Sequence, residues 1–203
     1  MAGEDRRITV ILSSPRPKSN SSALAAEIAR GAASAGGRVE TFDLRRLKVG
    51  PCIACYHCKK KKGCSVDDDM QKIYPSLAES GVWVVASPVY WFSLSAQLKC
   101  FIDRLFCLYS QDPGRSLMRG KKIAAAFSYG CEDPFESGCN NAIRMIQDMA
   151  RYTGCDFAGY VHGSGEMKRQ ADPAVDGYLK PGVIPADSVL MQQAYRLGIA
   201  LMD

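Results

Sequence analysis

The sequence contains no apolar run that approaches the ~20 residues needed to span a bilayer, and its polar first residues do not resemble a signal peptide. It also lacks a strong excess of charge of one sign, because the net charge is +5 and the basic residues are dispersed apart from the lysines at 59–62. Nucleic-acid recognition requires a basic face together with a reading motif, and the sequence shows neither. We therefore expect a cytoplasmic protein that binds neither membranes nor nucleic acids.

An internal repeat and a sign of a second domain are also missing. The 203 residues are enough for one domain with a complete core, and 47% hydrophobic and 23% charged residues are ordinary for a globular protein. We predict a single domain over residues 1–203 with two irregular parts. These are a cysteine loop at 50–66 and an ordered excursion at 163–187, which is rich in glycine, proline and charge.

Cysteine, in contrast, is abundant, with nine residues. Cytosolic thiols stay reduced, so clustered cysteines there indicate metal or redox chemistry more often than disulfides. The odd count also argues against a simple disulfide framework. Four of the nine fall between Cys52 and Cys64. The other five are dispersed, and we expect them to be small core or half-buried residues: Cys100, Cys107, Cys131, Cys139 and Cys155.

Short apolar runs of strand length alternate along the chain with amphipathic segments of helix length. The strand-like runs are 8–12, 39–44, 82–86, 123–127 and 157–161. The helical segments are marked by Leu24/Ile28/Ala32, by three aspartates at 67–69, by Leu94/Leu98/Ile102/Leu105, by residues 141–152, and by Leu190/Ala194/Leu197/Leu201. This alternation predicts an α/β protein with a parallel sheet and helices on both faces. Five strands favour the flavodoxin-like doubly wound order 2-1-3-4-5 over a six-stranded dinucleotide fold.

The loop after the first strand is the first candidate binding segment, because ligands of such sheets sit beyond the carboxyl ends of strands 1 and 3. The loop, 13–22, contains no glycine, so it is not the G-x-G-x-x-G loop that admits a dinucleotide pyrophosphate. It offers five hydroxyls, one amide and two cations just before a helix, a set that suits a monophosphate such as that of FMN. The alternative is a polar loop whose serines and asparagine only cap the helix.

The loop after the third strand, 87–93, carries three consecutive aromatic residues, Tyr90, Trp91 and Phe92. Loops are usually exposed to water, so adjacent aromatic rings there are unusual. An isoalloxazine ring needs a flat apolar wall and backbone donors, and this loop can supply both. The alternative is that the rings pack onto the sheet or form a subunit contact. A third loop at this end also belongs to the candidate cofactor site and begins with Ser128, Tyr129 and Gly130.

The strongest pattern is C-x2-C-x2-C-x5-C, formed by Cys52, Cys55, Cys58 and Cys64. Four thiolates are the usual ligand set of a [4Fe–4S] cluster, and three at two-residue gaps can wrap one face of a small metal centre. Tetrahedral zinc uses the same ligands, with His57 as a minor option, although zinc sites usually pair two C-x-x-C units over a longer span. The lysines at 59–62 can favour an anionic cluster, but a solvated loop is the simpler interpretation.

Together these segments resemble the NAD(P)H-dependent FMN reductases of the flavodoxin-like superfamily and, more closely, the iron–sulfur flavoproteins. The resemblance covers residues 8–163 and rests on Ser14-Pro15-Arg16, Asn20-Ser21, the four cysteines, Asp68-Asp69-Met70, Ser87-Pro88-Val89-Tyr90-Trp91, Gln97-Leu98-Lys99 and Asp103-Arg104. It implies that the FMN phosphate is held by Ser14, Arg16, Ser19, Asn20 and Ser21. It also implies that the ring is contacted by Pro88, Val89, Tyr90, Trp91 and Phe92, and that the four cysteines are metal ligands.

The resemblance further implies FMN, a [4Fe–4S] cluster and a homodimer or homotetramer. Flavin accepts two electrons and releases them singly, so a protein that holds both groups can couple a two-electron donor to a one-electron carrier. We expect an FMN-dependent oxidoreductase whose redox partner is a ferredoxin or a nicotinamide nucleotide, with NAD(P)H as a possible donor and no catalytic side chain. The alternatives are an FMN or quinone reductase without a cluster and a non-enzymatic flavodoxin-like carrier.

Overall fold

The computed structural model describes residues 6–165, 167–169 and 179–203. The strands are β1 (Arg7–Leu12), β2 (Arg38–Asp43), β3 (Val82–Tyr90), β4 (Ser93–Leu94), β5 (Lys122–Tyr129), β6 (Asp156–Ser164), β7 (Met167–Arg169) and β8 (Leu179–Pro181). The helices are α1 (Asn20–Ser34), α2 (His57–Lys60), α3 (Met70–Glu79), α4 (Ala96–Arg104), α5 (Cys139–Thr153) and α6 (Val189–Ala200). Two short 3-10 turns lie at Leu44–Arg46 and Leu105–Cys107.

Five parallel strands form the central sheet in the order β2-β1-β3-β5-β6, which confirms the predicted order 2-1-3-4-5. Strands β1, β3 and β5 are nearly continuous apolar runs because helices cover both faces of the sheet. Strand β2 mixes half-buried and exposed residues, as expected for an edge strand. The sheet therefore places the carboxyl ends of β1, β3 and β5 side by side at one edge.

The core lies in two layers, one on each face of the sheet. Neighbouring residues of a strand point to opposite faces, so Val10 and Val84 pack with α1 and α6, whereas Ile11 and Val85 pack with α3, α4 and α5. These four side chains are essentially inaccessible to solvent. Each central strand thus contributes to both layers, and the sheet is fixed rigidly between them.

Helices α1 and α6 approach each other so closely that glycine is needed on both. A Cβ atom at Gly31 would lie 2.0 Å from the Tyr195 carbonyl oxygen, and one at Gly198 would lie 2.0 Å from the Ile28 carbonyl oxygen. Glycine inside a helix costs about 1 kcal/mol relative to alanine, so its presence here indicates a packing requirement. The close contact holds α1 in place, and with it the helix N-terminus that faces the predicted phosphate loop.

Two predicted boundaries are wrong. Leu94 was expected in the third helix but lies in β4, and Leu105 lies in the 3-10 turn after α4. Helix α4 instead starts after Ser95, whose hydroxyl accepts a hydrogen bond from the Leu98 amide at 3.3 Å. Both leucines are buried, so the apolar spacing identified core positions correctly while it missed the hairpin that interrupts the helical period.

The strands at the binding edge are also longer than predicted. Strand β3 continues through Tyr90, so the loop expected at 87–93 reduces to the two residues Trp91 and Phe92. Strand β5 likewise continues through Tyr129. The pairing of β3 with β5 extends to this edge, where residues 87 and 88 of β3 pair with residues 127 and 128 of β5. The strand ends therefore carry five candidate ring-binding residues, Pro88, Val89, Tyr90, Ser128 and Tyr129, whereas Trp91 and Phe92 form the turn.

Part of the predicted excursion at 163–187 is a short antiparallel hairpin of β7 and β8. Residues 166 and 170–178 of that prediction lie outside the described residues. Within the described part of the chain, no helix is both long enough and apolar enough to cross a membrane.

Candidate functional site

A cavity of about 250 Å³ opens at the carboxyl ends of β1, β3 and β5, where the strand order reverses. Ten of the thirteen predicted cofactor-binding residues line it, namely Ser14, Arg16, Ser19, Asn20, Pro88, Val89, Tyr90, Ser128, Tyr129 and Gly130. The exceptions are Ser21, Trp91 and Phe92. Three further residues, Lys18, Gly182 and Val183, complete the lining. Segments far apart in the sequence therefore meet in one cavity.

The end of this cavity near α1 has the features of an anion site. Ser19 is the N-cap of α1 and its hydroxyl accepts a hydrogen bond from the Ser22 amide at 3.2 Å. The Arg16 amide donates to the Ser14 hydroxyl at 3.2 Å, which shapes the preceding loop. The side chains of Arg16 and Lys18 are exposed beside the helix N-terminus. Hydroxyls, two cations and a positive helix end can together bind a phosphate.

Asn20 has a role that the sequence did not suggest. Its side-chain amide donates to the Gly182 carbonyl at 2.9 Å, and its side-chain oxygen accepts from the Ile184 amide at 3.0 Å. A Cβ atom at Gly165 would lie only 2.1 Å from that Asn20 amide, so glycine is required there. Asn20 therefore fastens the segment after β8 to the start of α1 and so forms one wall of the cavity.

Ser21, a predicted phosphate ligand, does not line the cavity. Its side chain is fully buried and its hydroxyl lies 3.3 Å from that of Ser19. Residue 21 points inward because it lies on the buried side of the first turn of α1, together with Leu24 and Ala25. In the structure as described, Ser21 supports the N-cap residue.

Three buried serines under the cavity were missed by the sequence analysis. The Ser13 hydroxyl donates to the Ala86 carbonyl at 2.7 Å, and the Ser95 hydroxyl donates to that of Ser13 at 2.9 Å. The Ser95 amide donates to the Ser87 hydroxyl at 2.9 Å. These bonds tie the loop after β1 to the end of β3 and to the start of α4. Polar residues at two strand ends were the only available signal, and their partners are far away in sequence.

Tyr129, which is buried, and His162, which is half-buried, form a polar pair at the other side of the cavity. The Tyr129 hydroxyl lies 3.0 Å from Nδ1 of His162 on the edge strand β6. Burial raises the pKa of Tyr129 to about 12, and burial lowers the pKa of His162. Both groups are therefore neutral near pH 7, and the phenol can donate to the imidazole.

The aromatic pair Trp91 and Phe92 forms the two-residue turn between β3 and β4, next to the cavity but outside its lining. Both have left-handed backbones, with φ of 47° and 63°, a conformation that two-residue hairpins usually give to Asn-Gly. The Trp91 side chain is 93% exposed. A Cβ atom at Gly138 would lie 2.4 Å from Phe92 Cα, and the Asn141 amide donates to the Phe92 carbonyl at 3.3 Å. The turn is thus held against the start of α5.

A second cavity, of about 450 Å³, is lined by all four predicted ligands, Cys52, Cys55, Cys58 and Cys64. Cys52 and Cys55 are exposed, and the other two are half-buried. Among the residues that the structure describes, no three histidine, cysteine or acidic side chains are arranged as a ready metal site. The four thiols therefore share one cavity with the donor chemistry of a metal centre, but the loop must tighten before they converge on one ion or cluster.

The rest of this thiol cavity is mainly apolar and aromatic, with walls that include Phe106, Tyr109, Met149 and Tyr152. Cys107, in the turn after α4, is half-buried, as the sequence predicted. Burial is the main cause that raises the pKa of Cys107 to about 11. Cys107 does not line this cavity, whose thiols are the four of the sequence motif.

One lysine of the run at 59–62 has a structural role. The Lys59 ammonium donates to the Phe106 carbonyl at 2.6 Å and lies 3.8 Å from the centre of the Phe106 ring. It also donates to the Tyr109 carbonyl. Lys59 therefore fastens the short helix α2 to the turn after α4, whereas the other three lysines are exposed, as a solvated loop would have them.

A buried ion pair lies under the cysteine loop. Arg104 bonds both carboxylate oxygens of Asp68, with Nη1–Oδ2 at 2.7 Å and Nη2–Oδ1 at 3.1 Å. Burial acts to raise the pKa of Asp68, but bonds from Arg104, Gly50 and Met70 outweigh it and hold that pKa below its usual range. Both residues were part of the family motifs, and Asp68 was predicted only as one of three aspartates that open the second helix, so their pairing was not predicted.

The two cavities have no lining residue in common. The cysteine loop leaves the carboxyl end of β2, but its cavity extends over the C-terminal parts of α4 and α5, where Arg104 and Met149 lie. The first cavity, which is lined by the predicted FMN-binding residues and is named the FMN-like cavity for that reason, stays at the sheet edge. Within one chain the two candidate sites are therefore separate.

Comparison with known proteins gives a consistent result. Residues 6–150 match the family described as NADPH-dependent FMN reductase. An iron–sulfur flavoprotein of Methanosarcina thermophila is 30% identical over 153 residues, which cover 75% of this chain and 77% of that protein. One of Methanocaldococcus jannaschii is 35% identical over 98 residues, 48% of this chain, so the match spans only about half (51%) of that relative.

Two solved structures show the same fold. A NAD(P)H:quinone oxidoreductase from Methanothermobacter marburgensis superposes with a TM-score of 0.67 at 19% identity, over 96% of this chain and 95% of that one. A flavodoxin from Megasphaera elsdenii superposes with a TM-score of 0.56 at 16% identity, over 96% and 98% of the two chains. These likenesses establish the flavodoxin-like fold.

Proposed function

Because this chain belongs to the NADPH-dependent FMN reductase family, we propose that it is an FMN-dependent oxidoreductase that also holds a [4Fe–4S] cluster on Cys52, Cys55, Cys58 and Cys64. The observation that supports FMN most directly is the cavity at the strand-order reversal, which collects ten of the thirteen residues expected to bind it. The observation that supports the cluster is the shared cavity of the four thiols.

The residues of the first cavity have separate tasks in this proposal. Ser14, Arg16 and Ser19 hold the phosphate at the N-terminus of α1, with Lys18 adding positive charge. The strand ends 88–90 and 128–130 contact the ring. FMN supplies the chemistry, since it accepts two electrons and releases them singly. The protein orients it and excludes water, and the buried serine bonds beneath the cavity keep the loop and strand ends fixed.

A cluster held by the four thiols would supply the one-electron side of the reaction. Relatives named iron–sulfur flavoproteins support an iron–sulfur centre over zinc, and the compact spacing favours it as well. The alternative function is an FMN or quinone reductase whose thiols hold no metal. This alternative agrees with the arrangement of the described thiols, which do not converge on one metal position. We propose a homodimer or homotetramer, with a ferredoxin or a nicotinamide nucleotide as redox partner.

The cluster is tested by purification under strictly anaerobic conditions, followed by iron and sulfide analysis and electron paramagnetic resonance of the reduced protein. We expect about four iron and four sulfide per chain. Cys58→Ser should abolish this content, while Cys100→Ser, a half-buried cysteine outside the thiol cavity, should retain it. Zinc, or no metal after reconstitution, would leave an FMN oxidoreductase without a cluster.

A kinetic measurement separates a reductase from a passive carrier. Steady-state oxidation of NADH and NADPH should show sustained turnover with a quinone or free flavin as acceptor if the chain is an enzyme. A carrier would exchange electrons once with each reduced partner and show no turnover with either nucleotide.

A further inference from the structure

The cysteine loop is held at both of its ends by one buried side chain. Arg104 Nη1 donates to the Gly50 carbonyl at 3.1 Å, two residues before Cys52, and Nη2 lies 3.4 Å from the Val66 carbonyl, two residues after Cys64. The same guanidinium makes the two bonds to Asp68. Arg104 is 1% exposed and therefore cannot move away into solvent.

The carboxylate of Asp68 strengthens this arrangement. Its Oδ2 accepts from the Gly50 amide at 2.9 Å and its Oδ1 accepts from the Met70 amide at 3.0 Å. Gly50, before the first cysteine, is thereby bonded both to the guanidinium and to the carboxylate. The loop from Gly50 to Val66 contains all four thiols, so the ion pair fixes the separation of the two loop ends between which the thiols can converge.

Stability alone does not account for a buried ion pair at this place. The desolvation of two charges consumes most of their attraction, and apolar replacements of such pairs are often neutral or stabilising. Arg104 also has an unused donor, because Nε is buried and has no hydrogen-bond partner among the described residues. A buried N–H without an acceptor is energetically costly, and more so on a charged group. Arg104 lines the same cavity as the four thiols.

We propose that Arg104, held by Asp68, is the positioning residue of the four-thiol site, and that its Nε–H donates to a sulfur of the metal centre bound there. This inference rests on the proposed function. Sulfur atoms of a thiolate centre carry negative charge and accept hydrogen bonds, so the unused donor and the missing acceptor complement each other. Lysine cannot replace arginine here, because only the planar fork can serve the carboxylate, two carbonyls and a sulfur together.

The test uses the full chain, reduced and anaerobic, with Co²⁺ as the probe of the thiols, and then the reconstituted iron–sulfur protein. Arg104→Lys keeps the charge and loses the fork. We expect about 10–100-fold weaker Co²⁺ binding, the usual effect of removing an outer partner of a metal ligand. We also expect a more negative midpoint potential of the cluster, since the reduced centre loses a donor that stabilised its extra charge.

A matched control comes from the same helix. Lys99 forms an exposed ion pair with Asp103, five residues before Arg104, and its side chain is 55% exposed. Lys99→Gln should change Co²⁺ affinity by less than about twofold, because exposed pairs contribute little. FMN affinity, which depends on the other cavity, should be the same in wild type and in both variants.

The outcomes distinguish a failure of the proposed metal function from a failure of the role inferred for Arg104. A wild type that binds neither Co²⁺ nor iron overturns the proposed metal function, and this inference with it. A wild type that binds both, together with an Arg104→Lys variant of equal affinity and potential, overturns the inference alone. If Arg104→Lys does not fold, Asp68→Asn serves instead, because the amide oxygen still accepts from the guanidinium. Weaker Co²⁺ binding at unchanged FMN affinity then supports the inference, and unchanged Co²⁺ binding refutes it.

Discussion

Two exposed cations stand at the mouth of the FMN-like cavity, Arg16 and Lys18, and they are not equivalent. A guanidinium can make two parallel bonds to phosphate oxygens, whereas an ammonium acts as a single point of charge. Arg16 also belongs to a loop fixed by its own amide bond to Ser14. The arginine should therefore contribute more to phosphate binding than the lysine.

Arg16→Ala should weaken FMN binding by about 1.5 kcal/mol, the lower end for a charge-assisted bond because the side chain is exposed before binding. Fluorescence titration of the apoprotein with FMN measures this loss. Arg151→Ala is the control, because Arg151 lies at the far end of α5 with a side chain 76% exposed. Equal FMN affinity in wild type and Arg16→Ala would show that the FMN phosphate does not bind to this loop.

His162 should make stability depend on pH in one direction. Burial lowers the pKa of His162 in the folded state, so between that pKa and the unfolded value of about 6.5 the unfolded chain binds more protons. The contribution is complete above about pH 6.5 and is lost as the pH falls through the lowered folded pKa. His162→Gln keeps an acceptor for Tyr129 and removes this dependence, which urea unfolding at about pH 7.5 and 5.5 measures. An identical loss of stability in the variant would contradict the assignment.

The limits of prediction at this scale are visible in Asn20 and Ser21. Residue type and position at the start of a helix predicted both as phosphate ligands, but neighbouring residues of a helix face different directions. Ser21 points into the core, and Asn20 binds the segment at 182–184. The partner of Asn20 is more than 160 residues away, and no local pattern announces it.

At the scale of elements, the hairpin of β3 and β4 combines a strained turn with exposed aromatic rings. A left-handed backbone at a bulky residue costs on the order of 1–3 kcal/mol and persists only where the surroundings impose it. Phe92 is fixed by Gly138 and Asn141, but the ring of Trp91 has no comparable cover. Strain kept at an exposed tip indicates a use, and our hypothesis is that the rings shield flavin at a contact between two copies.

The double variant Trp91→Asn/Phe92→Gly should make the apoprotein more stable, by about 1 kcal/mol, since Asn-Gly favours this turn and the lost ring contacts offset part of the gain. The same variant should weaken self-association and increase the fluorescence of bound FMN. Urea unfolding and analytical ultracentrifugation provide the two readouts. Unchanged association would refute the contact, whereas a loss of stability would show that the turn is not strained.

Elements with a clean period were predictable from the sequence, and interrupted ones were not. Strands β1, β3 and β5 follow from short apolar runs, because burial on both faces leaves few polar positions. Leu94 was assigned to the following helix because it lies four residues before Leu98, which is the spacing of a helical apolar stripe. In the structure Leu94 belongs to β4, and the helix starts only at Ala96. The missing signal was turn chemistry: Trp-Phe is not a sequence that predicts a tight hairpin.

At the scale of the whole molecule, the sheet order itself was predictable, and with it the position of the FMN-like cavity. The right-handed crossover and the alternation of strands and helices leave few arrangements, and the five-stranded order 2-1-3-4-5 brings the loops after β1 and β3 together. The thiol cavity was less predictable. The four cysteines are evident from their spacing, but Arg104 and Met149 line the same cavity from α4 and α5, which only the packing of the helices determines.

The separation of the two cavities leads to the last prediction, which concerns their independence. Sites without shared residues should respond additively to mutation, within about 0.3–0.5 kcal/mol. Arg16→Ala should leave Co²⁺ binding by the reduced thiols unchanged, and Cys64→Ser should leave FMN binding unchanged, because neither residue lines the other cavity. The double variant should then show the FMN loss of Arg16→Ala and the Co²⁺ loss of Cys64→Ser, each unchanged in size.

The measurement is a double-mutant cycle in which FMN affinity and Co²⁺ affinity are determined for all four proteins under anaerobic conditions. It should be repeated at protein concentrations above and below the dissociation constant of any oligomer. Additivity at both concentrations means that each chain carries two separate centres. A coupling well above 0.5 kcal/mol that is present only in the oligomer would contradict independence, because it would mean that the thiol site of one chain lies against the FMN site of another.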